Sequence, residues 1–263
     1  MADSLCRRPS LQMIFIKETM TAATKKSLHI TLQGKGGVGK SLVSMIVAQY
    51  LLSIGTKIEC VDIDPVNQTF AGFKNLNVSH VNIMDGAKIN ERHFDSLMER
   101  LLSEDATFVV DSGSPSFIPV SSYMAENGVI DMLESSDRDV VIHTVITGGQ
   151  AQVDTLTGFD ALAKNAKDQS IIVWLNEFFG DIAHEGKTFA EMKIYDKHKT
   201  KIRGIVRIAK RNQDTFGKDI EQMALKRLTF AEVLDSASFQ LMAKQRLVTV
   251  KKDLFGQLEA IGF

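Results

Sequence analysis

The feature that most restricts the fold of this chain is residues 34–41, which read Gly-Lys-Gly-Gly-Val-Gly-Lys-Ser. They satisfy the phosphate-loop spacing G-x-x-x-x-G-K-[ST] at Gly34, Gly39, Lys40 and Ser41. A short apolar segment, 27–32, precedes the loop, and residues 42–54 after it have helical periodicity. This order predicts a strand, a phosphate-binding loop and a helix, which is the context that the motif requires.

The residue types of the loop suit a polyphosphate. Glycines let successive backbone N–H groups point inward, and the N-terminus of the following helix adds its positive dipole end. Lys40 can reach the β- and γ-phosphates, and the Ser41 hydroxyl can hold Mg²⁺. We therefore predict a nucleotide site. Its predicted binding residues in the loop are Gly34, Lys35, Gly36, Gly37, Val38, Gly39, Lys40 and Ser41.

Composition restricts the partners and the cellular compartment that we expect for this chain. The 263 residues carry a net charge of −1, so no global field draws the chain onto nucleic acid or an anionic membrane. No apolar run approaches the ~18 residues that span a bilayer. The two cysteines, Cys6 and Cys60, are far apart and lack metal-ligand spacing, which is typical of a reduced, cytoplasmic protein.

Apolar runs and amphipathic stretches alternate from residue 27 onward, which predicts an α/β fold with a mostly parallel sheet and helices on both faces. The predicted strands are 27–33, 57–62, 79–83, 106–111, 139–146, 170–176 and 202–208. The predicted helices are 39–54, 89–103, 117–133, 150–166, 214–226 and 238–260. We expect a single phosphate-loop NTPase domain over 27–263, preceded by a disordered or non-native extension over 1–26.

Two carboxylates follow the second predicted strand. Asp62 and Asp64 lie at its carboxyl end, the edge of a parallel sheet where ligands bind. Because side chains alternate along a strand, both carboxylates are expected to face the phosphate site. There one can orient the waters of a metal ion, and the other can polarise an attacking water. The alternative is a solvated turn closed by Pro65.

A third carboxylate, Asp111, ends the apolar segment 107–111. An apolar strand that ends in aspartate is typical of the strand behind Mg²⁺ in phosphate-loop proteins. We therefore predict that Asp111 serves the metal together with Ser41 and Asp62. Gly113 follows close to the expected γ-phosphate position, where a glycine can act as a switch point.

These motifs together resemble the ParA/MinD-type ATPases. Residues 35–41 are similar to the deviant Walker A motif of that family, in which the extra lysine, here Lys35, is the signature. Asp64 lies at the family's distance from the loop, and Asp111 matches its Walker B aspartate. Asn176 closes an apolar segment, as does the family asparagine that contacts adenine.

Within that family, two short stretches resemble a subgroup. Gln33, before the loop, and residues 47–50 of the following helix are similar to plasmid-encoded conjugal transfer and stability ATPases of the TraL/StbB type. This subgroup implies a role in plasmid transfer or maintenance.

The resemblance implies an ATPase that dimerises face to face around two ATP molecules. Lys35 would reach the partner's phosphates, Lys40 would bind those of its own chain, and Asp64 would position the hydrolytic water. A lysine aimed across an interface at a γ-phosphate stabilises spreading negative charge, as an arginine finger does. Such a dimer depends on ATP, because two lysines would otherwise face each other without a counter-charge.

The chain also departs from the family pattern. Leu42 stands where a second serine or threonine often reaches the α-phosphate, so only its backbone is predicted to bind nucleotide. The continuation Ser-Gly-Ser-Pro after Asp111 is not the commonest one, which weakens a switch role for Gly113. The cysteine pairs of iron–sulfur relatives and the tyrosine cluster of tyrosine kinases are absent.

Two segments are candidates for partner binding. Residues 191–211 are rich in basic side chains, which favours either a non-specific, salt-sensitive DNA contact or a solvated face. These residues are Lys193, Lys197, Lys199, Lys201, Arg203, Arg207, Lys210 and Arg211. The C-terminal segment 246–261 has apolar residues at helical spacing beside Arg246, Lys251 and Lys252, and we favour its packing on the sheet over contact with a membrane.

The sequence therefore favours a switch ATPase. ATP and Mg²⁺ close a homodimer, the dimer binds DNA or a plasmid-encoded protein, and hydrolysis resets it. An ATP-dependent ligase of the dethiobiotin synthetase type is one alternative, because it shares the fold and the loop, although Lys35 argues against it. A binding module that assembles on ATP and barely hydrolyses it is the other.

Overall fold

The computed structural model describes residues 26–86 and 88–262. The strands are β1 (Ser27–Thr31), β2 (Ile58–Asp62), β3 (Ser79–His80), β4 (Met84–Asp85), β5 (Lys88–Ile89), β6 (Thr107–Asp111), β7 (Asp139–Thr147), β8 (Ile171–Asn176), β9 (Ala183–His184), β10 (Lys187–Thr188) and β11 (Ile202–Ile208). The α-helices are α1 (Lys40–Ser53), α2 (Glu91–Ser103), α3 (Phe117–Glu126), α4 (Val129–Ser135), α5 (Gln152–Asn165), α6 (Lys193–His198), α7 (Lys218–Leu225), α8 (Phe230–Asp235) and α9 (Leu241–Ile261).

A seven-stranded sheet forms the centre of the fold, in the order β11-β8-β7-β1-β6-β2-β3. Every neighbouring pair in it is parallel. Strand β1 lies in the middle, between β7 and β6, so the segment that follows it emerges at the centre of the carboxyl edge. Asp62 of β2 is the register partner of Asp111 of β6. The order therefore places two predicted site carboxylates side by side, next to the end of β1.

Helices cover both faces of this sheet, as its apolar strands predict. On one face, α2, α3, α4 and α5 bury Phe94, Val120, Leu133 and Phe159. On the other face, α1, α7, α8 and α9 bury Val47, Met223, Val233 and Leu254. The predicted α/β class, with a mostly parallel sheet between two helical layers, is confirmed.

The predicted helix over 117–133 is two helices in the structure. Gly128 adopts a φ of +59°, a left-handed conformation that costs glycine little, and it separates α3 from α4. The predicted strand 79–83 shortens to the two residues of β3. The hairpins β4-β5 and β9-β10, together with α6 and α8, were not predicted, because elements this short carry little periodicity.

The C-terminal helix α9 packs on the sheet, as the sequence favoured. Its apolar stripe is buried through Leu247, Val250, Leu254 and Leu258. Its end touches β11 at Gly204, where a Cβ would lie 2.6 Å from Cγ1 of Ile261. Across the described ranges, no helix combines the length and the apolar character needed to cross a bilayer.

Of the predicted extension over 1–26, only Lys26 belongs to the described residues, and the rest of that prediction lies outside them. The Lys26 ammonium forms an ion pair with Asp105 at 2.8 Å. Its carbonyl accepts a hydrogen bond of 2.9 Å from the N–H of Asp139, at the start of β7. Lys26 is thus tied to the sheet.

Candidate nucleotide-binding site

The predicted phosphate loop connects the end of β1 to the first turn of α1. Gly37 and Gly39 adopt φ angles of +72° and +103°, a region that glycine enters at little cost. Left-handed residues alternating with ordinary backbone turn successive N–H groups to one side and form an anion-binding concavity. Helix α1 begins at Lys40, so its positive dipole end faces the same space.

Other residues of the loop pack closely against their neighbours, because they are either glycines or buried. A Cβ on Gly34 would lie 3.1 Å from Cδ1 of Phe117, and one on Gly36 would lie 3.5 Å from Oγ of Ser114. Val38 is buried beneath the loop. The first residue of α3 and the segment after β6 therefore form the wall against which the loop rests.

The Lys40 side chain lies across the loop. Its ammonium donates a hydrogen bond of 3.0 Å to the carbonyl oxygen of Lys35 and one of 2.8 Å to Oγ of Ser114. An ammonium has three N–H donors, and these bonds use two of them. Burial lowers the pKa of Lys40, against the opposing effect of the Asp111 and Asp64 carboxylates.

Ser41 and Asp111 meet at the base of the loop. Oγ of Ser41 donates a hydrogen bond of 2.6 Å to one carboxylate oxygen of Asp111, and Oγ of Ser44 donates one of 2.8 Å to the other. Burial raises the pKa of Asp111 to about 7, although the Ser41 hydrogen bond opposes this shift. Hydroxyl and carboxylate oxygens are the donors that Mg²⁺ prefers, so the residues present fit this metal.

No group of three His, Cys, Asp or Glu side chains among the described residues can hold a metal ion. Mg²⁺ usually binds one or two carboxylates together with substrate phosphates and water.

Asp62 is fully buried, and both of its carboxylate oxygens accept backbone hydrogen bonds. One accepts from the N–H of Asp64 and the other from the N–H of Ala71, each at 2.9 Å. Burial raises the pKa of Asp62, and these two hydrogen bonds oppose the shift. Through these two hydrogen bonds Asp62 holds the segment 64–71 in place. That Asp62 helps to bind the metal stays a prediction.

Asp64 lies against the segment that follows β6. Its Oδ1 accepts hydrogen bonds from the N–H of Val66 at 2.9 Å and of Asn67 at 3.1 Å. A Cβ on Gly113 would lie 2.5 Å from Cγ of Asp64 and 2.9 Å from its Oδ2. Only glycine at position 113 leaves the Asp64 carboxylate in this place.

Lys35 is paired within its own chain. Its ammonium lies 2.7 Å from the carboxylate of Asp154 in the first turn of α5, and both side chains are about half exposed. Gln33 fastens α5 next to the loop, because its amide N–H groups donate to the carbonyl oxygens of Val145 at 2.8 Å and Thr155 at 3.1 Å. An exposed ion pair contributes only about 0–1 kcal/mol, so the Lys35 side chain can be released at little cost.

A cavity of about 530 Å³ opens beside the loop and has an apolar wall. The residues that line it include Gly37, Leu42, Asn176, Phe179, Ile208 and Ile220. The Asn176 amide donates a hydrogen bond of 2.9 Å to the carbonyl oxygen of Val38 and accepts one of 3.2 Å from the N–H of Phe178. Asn176 therefore supports the loop from β8, and its contact with adenine stays a prediction.

Several residues of this site were missed by the sequence analysis. Ser44 had a readable signal, because it follows Ser41 by one helical turn and lies on the same face of α1. Asp154 and Ser114 had no distinctive signal in the sequence, because only the packing of α5 and of the segment after β6 brings them to the loop.

The basic stretch 191–211 is largely neutralised by acids of the same chain. Seven of its eight basic side chains form ion pairs: Lys197 with Asp160, Lys199 with Asp196, Lys201 with Asp168, Arg203 with Asp139, Arg207 with Glu177, Lys210 with Asp181 and Arg211 with Asp253. A surface whose charges are already paired attracts phosphates less than the bare count of lysines and arginines predicts.

Residues 30–247 match the family described as the CobQ/CobB/MinD/ParA nucleotide binding domain. The chain belongs to this family. It is 45% identical over 233 residues to Protein TraL of Escherichia coli, which covers 88% of this chain and 97% of that protein. A second Protein TraL of Escherichia coli is 44% identical over 234 residues, covering 89% of this chain and 97% of the relative. The resemblance to ParA/MinD proteins of the TraL type is confirmed.

Among solved structures, the MinD cell division protein of Aquifex aeolicus is 16% identical. The match covers 88% of this chain and 97% of that protein, with a TM-score of 0.46.

Proposed function

We propose that this chain is an ATP-dependent dimerising switch ATPase that acts in plasmid conjugative transfer or stable inheritance. The observation that carries the proposal lies at the carboxyl edge of the sheet, where β1 and β6 end next to each other. There Ser41 donates a hydrogen bond to Asp111, and the Asp111 carboxylate is close enough to the Lys40 ammonium to act on its pKa. In phosphoryl transfer a cation binds the phosphates, and a hydroxyl and a carboxylate bind the metal ion and its waters. The match to a nucleotide-binding family supports the same assignment.

The residues divide the work as follows. Backbone N–H groups of the loop and the Lys40 ammonium bind the phosphates, and the apolar cavity beside Leu42 accepts the base. Ser41 and Asp111, together with Asp62 on the neighbouring strand, would hold Mg²⁺, and the metal would neutralise charge on the phosphates. Asp64, held over Gly113, orients the attacking water.

Dimerisation depends on Lys35. Within one chain it is held by Asp154 in a half-exposed ion pair, which is worth about 0–1 kcal/mol. A triphosphate on a facing protomer offers more negative charge in a site from which water is excluded, so Lys35 exchanges Asp154 for that phosphate. The signature lysine thereby makes the dimer depend on ATP.

The charges of residues 191–211 favour a plasmid-encoded protein over DNA as the partner of the dimer. Seven of the basic side chains in that stretch are paired with carboxylates, as described above. Non-specific DNA binding needs cations that can release counterions from phosphates. Cytoplasmic location follows from the proposed role.

The test is equilibrium binding of ATP and ADP to the wild type and to Lys40→Ala, with Lys252→Ala in the exposed face of α9 as the control. We expect Lys40→Ala to abolish nucleotide binding and the control to bind as the wild type does. Unchanged ATP affinity in Lys40→Ala would remove the basis of the assignment.

Phosphate release then separates the alternatives. Slow release that rises with DNA or a partner protein supports the switch. Dimerisation on ATP without release indicates a binding module. Turnover that requires a small carboxylic acid indicates a ligase.

A further inference from the structure

The segment 64–72, which follows β2 and carries Asp64, is also held from outside by Arg227. Nη1 of Arg227 donates a hydrogen bond of 3.1 Å to the carbonyl oxygen of Gln68. The same side chain lies directly over Gly72, where an added Cβ would stand 2.0 Å from Nη1 and 2.1 Å from Cδ. Heavy atoms that are not bonded stay well beyond such distances, so this contact exists only because residue 72 has no side chain.

Arg227 has a backbone conformation that is costly for any residue with a Cβ. Its φ is +54°, and it lies just past the end of α7, where glycine is the usual residue. Its N–H donates to the carbonyl oxygen of Ala224 and the N–H of Leu228 donates to that of Met223, each at 3.1 Å, which is the Schellman pattern. An arginine held in a glycine position points to a use for its side chain.

The backbone that carries Arg227 is fastened to the helix of the phosphate loop. Helix α8 begins at Phe230, three residues further on, and the N–H of Phe230 donates a hydrogen bond of 2.8 Å to Oε1 of Gln49 in α1. Arg227 is therefore tied to α1 through its own chain and reaches the segment 64–72 through its side chain.

The part of the segment that Arg227 reaches positions the Asp64 carboxylate. Gln68 follows Asn67, whose N–H donates a hydrogen bond of 3.1 Å to Oδ1 of Asp64. Arg227 also lines the cavity beside the phosphate loop, and it lines a second cavity of about 570 Å³ whose other lining residues all come from 66–72. It thus lies where the candidate nucleotide cavity meets the segment that carries Asp64.

We propose that Arg227 is a positioning residue for hydrolysis, which keeps the segment 64–72, and with it the Asp64 carboxylate, in a fixed place relative to the phosphate loop. The proposal rests on the function proposed above, in which Asp64 orients the attacking water. Because Arg227 acts through Asp64, its loss lowers turnover much more than nucleotide affinity.

The first test replaces Arg227 by glycine. Arg227→Gly removes the side chain and leaves a residue that adopts the left-handed conformation at little cost, so the free energy of unfolding should stay close to that of the wild type. Phosphate release at saturating ATP and Mg²⁺ should fall about tenfold, because Asp64 loses one of the contacts that place it. The dissociation constant of a non-hydrolysable ATP analogue should stay within about threefold. Lys226→Ala, exposed and adjacent in the chain, is the matched control and should change neither quantity.

The second test breaks the same contact from the other side. The Cβ of Gly72→Ala would displace the Arg227 side chain, which supplies all three of its nearest atoms. We expect a similar fall in turnover from Gly72→Ala alone. When Gly72→Ala is added to Arg227→Gly, no further fall should follow, because the side chain that it would displace is gone.

The outcomes are distinct. A wild-type rate in Arg227→Gly would overturn the proposal, and so would a loss of affinity as large as the loss of rate, because Arg227 would then act through nucleotide binding. Losses of rate that multiply in the double variant would also overturn it, since the two substitutions would then act at separate places. A wild type that binds no ATP, or binds it without releasing phosphate, would refute the proposed function and this inference with it. Normal wild-type turnover beside unaffected variants would refute the inference alone.

Discussion

Replacing Gly113 by alanine tests whether Asp64 acts from the place it occupies. The added Cβ would lie 2.5 Å from Cγ of Asp64, whereas carbon atoms in contact stay roughly 3.5 Å apart or more, so the carboxyl group must retreat by about 1 Å. Its bonds to Val66 and Asn67 move with it, because their N–H groups hold Oδ1. A misplacement of about 1 Å in a reacting group can cost 10²-fold in rate. We expect the turnover of Gly113→Ala to fall about 100-fold.

Nucleotide affinity should change far less, because the Cβ added at Gly113 meets the Asp64 carboxyl group and not a residue of the phosphate loop. The assay is phosphate release at saturating ATP, with the dissociation constant measured on the same sample. Gly256→Ala in α9 is the matched control, since nothing lies within 4 Å of its added Cβ. A wild-type rate in Gly113→Ala would refute the role of Asp64 in hydrolysis. Loss of ATP binding with the loss of rate would place Gly113 in the phosphate site instead.

Two substitutions and a pH titration probe other contacts of the site and the sheet. Asp154→Asn removes the ion pair that holds Lys35. Because each of the two protomers loses one pair worth up to about 1 kcal/mol, the ATP-dependent dimer should form at up to about 30-fold lower protein concentration by sedimentation. A weaker dimer would mean that Asp154 acts within the dimer itself. Asn176→Ala leaves a loop carbonyl without its donor and should cost about 1–3 kcal/mol in the free energy of unfolding, measured by urea titration, and also weaken ATP binding; wild-type values for both would contradict its supporting role. Burial lowers the pKa of His29 to about 3 and that of His143 well below its ordinary value. In the unfolded chain both histidines titrate near pH 6.5. Below that pH the unfolded state therefore binds more protons than the folded state does. As the pH drops from 6.5 toward 4, the free energy of unfolding should therefore fall by up to about 1.4 kcal/mol per pH unit for each histidine. Urea titrations at several pH values that show no such fall would refute the burial of neutral imidazoles.

Much of this architecture could be predicted from the sequence, because the long elements carry strong periodicity. Strands such as β6 and β8 consist largely of apolar runs, which are typical of a sheet covered on both faces. The phosphate loop could be read because glycines, a lysine and a serine at fixed spacing are required by phosphate geometry. Where a single glycine interrupts a helix, as Gly128 does between α3 and α4, the pattern of apolar residues continues and hides the break.

The tertiary partners of the site could not be predicted, because they depend on which strands become neighbours. Asp154 meets Lys35 only because β7 pairs with β1, which brings the start of α5 next to the loop. The basic stretch 191–211 reads as a cationic patch along the chain, yet its partners, such as Asp139 and Asp253, come from distant segments. Charge patterns along a sequence therefore predict less about a surface than apolar patterns predict about a core.

Sedimentation of the wild type and of Lys35→Ala, with ADP and with a non-hydrolysable ATP analogue, measures whether Lys35 joins two protomers over nucleotide. The wild type should be a monomer with ADP and a dimer with the analogue. Lys35→Ala should bind the analogue and remain a monomer. A Lys35→Ala variant that dimerises with the analogue as the wild type does would show that Lys35 does not join the protomers.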